Sequence, residues 1–347
     1  MIEQVHLQRF KCFKDCRVDL GPFTVLIGPN GSGKSAFLHG IQLAEENCHW
    51  VFGHGRRALN DACFYRGVRT ADWQIAVALT DSGRSTNMML RCYESQQPSL
   101  LIGEANVRAE HLQERVPECL AVFAPVAYYC FAPSDLRQPS AVSGGAPQMT
   151  PSGLGFPSFL EDFLRADRKA FDRMEDAFRA RFPDLRISLP KEQRRDVGPI
   201  PVEQWNNVLR FPSEGKLELG ADEVSDGAML YLAFLAVCHQ PNPPKTLMIE
   251  EPENGVHYKA LKEIVEVLRS FGSERGVQII LTTHSPYLPD FVEPEEVRIF
   301  EKDSEGAVTC RKMSDIPEVD HWRKHFNAGE LWTNLVDQKP ETASEPA

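Results

Sequence analysis

The chain has 347 residues, 42% hydrophobic and 25% charged, a balance that allows a sizeable buried core in one large or two interlocked domains. Its formal net charge of −11 argues against a protein that coats nucleic acid over a broad basic face. Its longest apolar runs, such as Met229–Val237, fall far short of the roughly 20 residues that a membrane span requires.

The N-terminus opens on Glu3 in a polar alternation and carries no secretory pattern. Nine cysteines are scattered without a Cys-x-x-Cys, and the nearest pair, Cys12 and Cys16, has no second pair to complete a zinc site. The expectation is reduced thiols in a cytoplasmic protein.

In chain order, Ile2, Val5 and Leu7, then Val18 and Leu20, read as strands, and Phe23–Ile27 reads as a buried central strand because it is short, apolar and ends in a glycine-rich turn. Ser35–Glu46 reads as a helix. Trp73–Leu79 and Met88–Tyr93 read as a hairpin around Asp81-Ser82-Gly83-Arg84, and Ala121–Phe131 as a further strand. Pro133–Pro157 is rich in Pro, Ser and Gly and reads as a crossing loop. Helical spacing then runs over Phe159–Phe182 and again over Asp226–His239. Lys245–Ile249, Tyr258–Phe271 and Val277–Thr282 read as strand, helix and strand. Such alternation predicts an α/β fold with a parallel sheet covered on both faces. Phe326–Leu335 reads as a docking helix. Ten Lys or Arg residues crowd Arg165–Arg195, and neighbouring acids such as Glu161 and Asp172 make this a solvated helical face rather than a nucleic-acid patch.

Gly28-Pro29-Asn30-Gly31-Ser32-Gly33-Lys34-Ser35 fits G-x-x-x-x-G-K-[ST] between a strand and a helix, a P-loop or Walker A motif. Its glycines let the backbone N–H groups of Asn30, Gly31, Ser32 and Gly33 turn inward around phosphates, and the helix start adds a positive dipole end. Lys34 is placed to reach the β- and γ-phosphates and Ser35 to ligate Mg²⁺. ATP and Mg²⁺ are therefore the expected cofactors. The run Thr246–Ile249 leads into Glu250 and Glu251, a Walker B arrangement. Alternation along a strand divides the two acids: Glu250 faces Mg²⁺, through water, and Glu251 aligns or deprotonates the attacking water. Further on, Leu281–Pro286 carries His284 at another strand end, where an imidazole can hydrogen-bond the γ-phosphate or the lytic water.

Between these lies Ser225-Asp226-Gly227, which by itself reads as a helix N-cap. Taken in order with the Walker motifs, Glu251-Pro252-Glu253-Asn254 and Thr283-His284-Ser285-Pro286, it resembles the signature of stand-alone ABC-type ATPases of the RecF and OLD kind. Leu7–Phe13 is similar to the N-terminal phenylalanine-lysine element that opens SMC and RecF heads. The resemblance implies a RecA-like lobe with an antiparallel β-subdomain and a helical lobe holding the signature. It divides the chain into 1–135, 136–243, 244–336 and a tail at 337–347. It also implies that Lys11, Ser225 and Gly227 meet nucleotide, that Gln138 is the Q-loop residue near the metal, and that two heads close over two ATP molecules. Two departures stand out: Asp226 replaces a common glycine, and Glu250 replaces a more common aspartate. OLD proteins often continue into a nuclease with Asp-x-Asp, and the segment 285–347 has no Asp-x-Asp; His321 and His325 read as surface residues. The expected role is an ATP-switched sensor or regulatory head in a bacterial DNA-linked system, phage defence or repair, with a separately encoded effector, such as a nuclease. DNA contact is then weak or indirect and no membrane is involved. The alternative is a self-sufficient RecF-like clamp or loader in recombinational repair. A transporter head is disfavoured by the Phe-Lys element.

Overall fold

The computed structural model describes residues 1–52, 73–81, 84–92, 99–102, 124–142, 149–193, 205–212, 218–317 and 319. Phe326–Leu335, His321, His325, the tail and the hairpin tip at Ser82-Gly83 lie outside them. Two compact units divide the chain: Met1–Val126 with Ile280–Ala347, and Ala127–Ile279.

In the first unit β1 (Ile2–Phe10) and β2 (Phe13–Asp19) alternate buried and exposed positions, as a half-covered sheet requires. Arg9, near the end of β1, and Lys11, in the turn between the two strands, hold left-handed φ values of 51° and 50°. β3 (Phe23–Ile27) is buried throughout and passes through the glycine-rich loop into α1 (Lys34–Phe52). β4 (Trp73–Asp81), β5 (Arg84–Cys92) and β6 (Ser99–Ile102) complete an antiparallel sheet of order β2-β1-β4-β5-β6. This is the β-subdomain that the sequence resemblance implies.

The second unit opens with β7 (Val126–Tyr129) and the short α2 (Pro133–Leu136), followed by the two-residue strand β8 (Ser140–Ala141). The helical segment read as one is two, α3 (Phe156–Ala166) and α4 (Arg168–Arg181). Asp167 breaks it: its backbone leaves the helical region, and its carboxylate accepts from Ala170 N at 2.9 Å, so the residue caps the second helix instead of continuing the first. Small strands β9 (Lys191–Gln193) and β10 (Trp205–Asn207) pair with β8, and β11 (Arg210–Phe211) pairs with β12 (Leu219–Gly220). Then comes α5 (Asp226–His239), whose residues Ala228–Cys238 are all buried, so the helix is apolar on every side and sits inside its unit. β13 (Thr246–Glu250) and α6 (Tyr258–Arg275) lead into β14 (Gln278–Thr283).

The division between units falls inside β14. In the second unit β13 lies beside β7. In the first unit β3 pairs in parallel with β15 (Val297–Lys302), which pairs antiparallel with β16 (Val308–Lys312). Within the first unit Phe13 and Phe37 both pack edge-on against Phe300, at 6.3 and 5.6 Å between ring centroids, which seats the β1–β2 turn and α1 on the strand beside the glycine loop.

Candidate functional site

The P-loop is shaped by close packing of backbone. A side chain at Gly28 would collide with the Phe300 carbonyl and come within 2.7 Å of Ser32 Oγ, and one at Gly33 would meet Cys12 Sγ and Val308 Cγ2 at 3.0 Å. Gly31 and Gly33 adopt φ values of 74° and 99°, open to glycine and strained for other residues. Phe37 N donates to Gly33 O at 2.9 Å and starts α1, so the loop ends at a helix N-terminus facing the curl. Lys34 Nζ, deeply buried, donates to Gly28 O at 2.6 Å and Pro29 O at 3.1 Å, holding its charge at the centre of the loop. Ser32 is buried with its hydroxyl unpartnered, while Asn30, Gly31 and Ser35 are exposed.

Lys11 lies in the same unit. Its ammonium sits over the Phe10 ring at 5.8 Å, and the next residue, Cys12, packs on Gly33. His39 of α1 is held below its ordinary pKa, first by burial and then by the charge of Lys11. Lys302, at the end of β15, was not legible as a loop neighbour, yet its ammonium comes within 3.8 Å of where a side chain on Gly31 would begin. His284 is half-buried directly after β14, in a turn closed by Ser285 N on Thr283 Oγ1 at 2.9 Å.

In the second unit, Glu250 ends β13 half-buried. Tyr128 of β7 donates its hydroxyl to Glu250 Oε2 at 2.9 Å, while Oε1 is buried and has no partner. Burial, with the Glu250 charge beside it, drives the Tyr128 phenol well above its ordinary range and keeps it a donor. Burial pushes the Cys130 thiol up as well. Glu251 follows at φ 47°, a left-handed conformation unusual for a residue with a side chain. Asn254 Nδ2 donates to Glu251 Oε2 at 2.6 Å and its backbone N–H to Glu251 O at 3.0 Å, which fixes both the carboxylate and the turn.

Ser225 caps α5 through Ala228 N on its Oγ at 3.3 Å and remains exposed, with Gly227 half-buried beside it. The segment before it is pinned by Arg137, which donates from Nε to Ala221 O at 2.9 Å, from Nη2 to Val224 O at 2.7 Å, and pairs with Asp226 at 2.7 Å. That ion pair gives a structural reason for an aspartate where related signatures carry glycine. Gly255, just past the acidic turn, leaves room against Leu230 and Asp226; a side chain there would meet Leu230 Cδ1 at 3.2 Å at a φ of 80°. Gln138 lies on an exposed turn, its amide donating to Ser134 O at 3.1 Å; the residue on Glu250 is Tyr128.

Among the described residues no cluster of three or more His, Cys, Asp or Glu could hold a metal by itself. A site for Mg²⁺ does not need one, since that ion keeps waters and shares few carboxylates with bound phosphates. The buried, unpartnered Glu250 Oε1 and the exposed Ser35 hydroxyl at the helix start are donors of the kind it takes.

Residues 153–290 match a family model described as an AAA domain, putative AbiEii toxin of a type IV toxin–antitoxin system, and residues 1–54 match an AAA ATPase domain. An OLD nuclease from Thermus scotoductus (strain ATCC 700910 / SA-01) is 24% identical, the match covering 95% of this chain and 68% of that protein. Among solved structures, an SMC head bound to the C-terminal winged-helix domain of ScpA superposes with a TM-score of 0.60 at 14% identity, over 89% of this chain and 96% of that one. An SMC head with an extended coiled coil, from Pyrococcus furiosus, gives 0.57 at 12% identity over 97% and 98%. Another from Thermotoga maritima gives 0.51 at 14% over 90% and 98%. The fold is an SMC-head-like α/β architecture of the P-loop kind. More closely, the chain is similar to ABC-type ATPases of the RecF, SMC and OLD kind. Among the described residues, no helix is long and apolar enough to cross a membrane.

Proposed function

We propose that the chain binds ATP with Mg²⁺, closes with a second copy around the nucleotide, hydrolyses it, and so acts as the sensor or regulatory head of a bacterial DNA-linked system with a separate effector. The observation that carries this reading is the state of the two acids. Glu250 keeps one oxygen on Tyr128 and one buried and unpartnered, while Glu251 is turned into a left-handed conformation and held by Asn254.

Lys34 exchanges its carbonyl partners for the β- and γ-phosphates, with the backbone N–H groups of Asn30, Gly31, Ser32 and Gly33 around them. Ser35 and Glu250, the latter through water, would hold Mg²⁺, and Gln138 would approach from its turn. When bound, that ion neutralises the charge that develops on the transferring phosphoryl group. Glu251 aligns the attacking water and takes its proton, and His284 hydrogen-bonds the γ-phosphate or that water. Lys11 adds charge beside the loop. Ser225 and Gly227, at the exposed N-terminus of α5, meet the γ-phosphate carried by the second copy.

The OLD nuclease relative and the toxin–antitoxin description of the family model support a role in defence or repair. The solved SMC head with a bound ScpA domain is an example of such a head working beside another protein. The net charge of −11 favours the partnered head over a self-sufficient RecF-like clamp. Glu251→Gln tests the mechanism. Nucleotide binding should persist, hydrolysis should fall by something like 10²–10⁴-fold as for loss of a general base, and an ATP-bound dimer should accumulate in light scattering. An inactive variant that stays monomeric at saturating ATP sinks the two-head closure alone; full activity sinks the assignment of Glu251 as well. Strong, ATP-dependent, salt-sensitive binding of duplex DNA by the purified chain decides for the clamp.

A further inference from the structure

A carboxylate that serves a metal through one oxygen works best when its other oxygen is already held, because the side chain then loses no freedom on binding and cannot turn away. Glutamate has a methylene more than the aspartate usual at this strand end, hence one more torsion to be fixed. In this protein the fixing group is on the neighbouring strand. We propose that Tyr128 is a positioning residue for the metal acid: its hydroxyl clamps Glu250 Oε2 at 2.9 Å and so holds the carboxylate with Oε1, buried and unpartnered, left over to serve a Mg²⁺ ion.

The proposal rests on the reading of Glu250 as the acid on the metal side, and two observations carry it beyond that reading. The two residues are 122 positions apart, so the contact is a product of the fold and not of a local turn. Both strands end at this point, β7 at Tyr129 and β13 at Glu250, which places the clamp on rigid backbone. Tyr128 acts only through Glu250; it has no part in moving protons.

Tyr128→Phe removes one oxygen and keeps the ring. In the full chain, Mn²⁺ stands in for Mg²⁺ and its affinity for the complex with a non-hydrolysable ATP analogue is read by electron paramagnetic resonance. The expected result is a dissociation constant for Mn²⁺ raised roughly tenfold, the low end for losing a residue behind a metal ligand. Affinity for the analogue in EDTA should stay at the wild-type value, because Lys34 and the loop backbone are untouched. Replacing Tyr128 by 4-aminophenylalanine, which restores a donor on the same ring, should return Mn²⁺ affinity toward wild type. In a Glu250→Gln background the Tyr128→Phe change should add nothing. Unchanged Mn²⁺ affinity in Tyr128→Phe overturns the proposal, and so does a parallel loss of metal-free nucleotide binding, which would make Tyr128 a packing residue. If Glu250→Gln alone leaves Mn²⁺ affinity at the wild-type value, it is the underlying role of Glu250 that fails.

Discussion

Around the P-loop the groups proposed for phosphate belong largely to the backbone, and packing is what shapes them: Gly28 lies under the Phe300 carbonyl, and Gly33 against Cys12 and Val308. Around the acidic strand end the proposed groups are side chains, and each is held by another side chain: Glu250 by Tyr128, Glu251 by Asn254, Asp226 by Arg137. A backbone cradle is written into a short contiguous motif, because the loop that makes it is also the loop that binds. A side-chain constellation draws its supports from wherever the fold brings them. The first kind fails all at once when its shape is lost, whereas the second fails by degrees, one support at a time.

The sharpest way to break that contrast is at Lys34, whose charge sits at the centre of the backbone cradle. Lys34→Ala should abolish nucleotide binding, since the triphosphate loses the charge around which the loop is built; micromolar ATP affinity by calorimetry in the variant would show the cradle to be something else. A lesser loss is expected on the side-chain side. Ser225→Arg puts bulk and charge at the exposed start of α5, so it should spare ATP binding by the monomer and yet remove hydrolysis. Wild-type turnover in this variant reduces Ser225 to the helix cap that its bond to Ala228 N already makes it. The smallest effect falls on a support. The Arg137 side chain is only 13% exposed, and Arg137→Ala strips Ala221 O and Val224 O of their donor. Urea unfolding should show a loss of about 2 kcal/mol, in the range for charged hydrogen bonds to buried groups, with the exposed Asp226 pair adding little. Stability within a few tenths of wild type would mean that this loop segment is held by packing alone.

The same contrast explains what could be read in advance. The start of α1 after the glycine loop was legible to within a residue, read at Ser35 and found at Lys34, and the cap and apolar run of α5 fixed Asp226–His239 as both read and found. The buried strands were legible to within a position, because a run of three consecutive apolar residues at the heart of each leaves little choice. Asp167 was misjudged because hydrophobic spacing continues across it, while its short carboxylate competes for the backbone and starts a second helix. Tyr128 and Arg137 carried no signal at all. Their partners lie 122 and 87 positions away, and a tyrosine in an apolar strand or an arginine after a short helix looks ordinary until the strands are side by side. Gln138, singled out from its position at the crossing, sits next to the residue that pins the signature segment.

Glu251 deserves a last consideration as a matter of inheritance. A residue with a side chain held at φ 47° costs the folded chain of order 1–3 kcal/mol, and a glycine would sit there without that cost. Selection for stability alone would therefore erode this position toward glycine, and a lineage that no longer needed the acid would gain robustness by losing it. In the proposed mechanism, the alignment of the attacking water by this carboxylate is what offsets that cost.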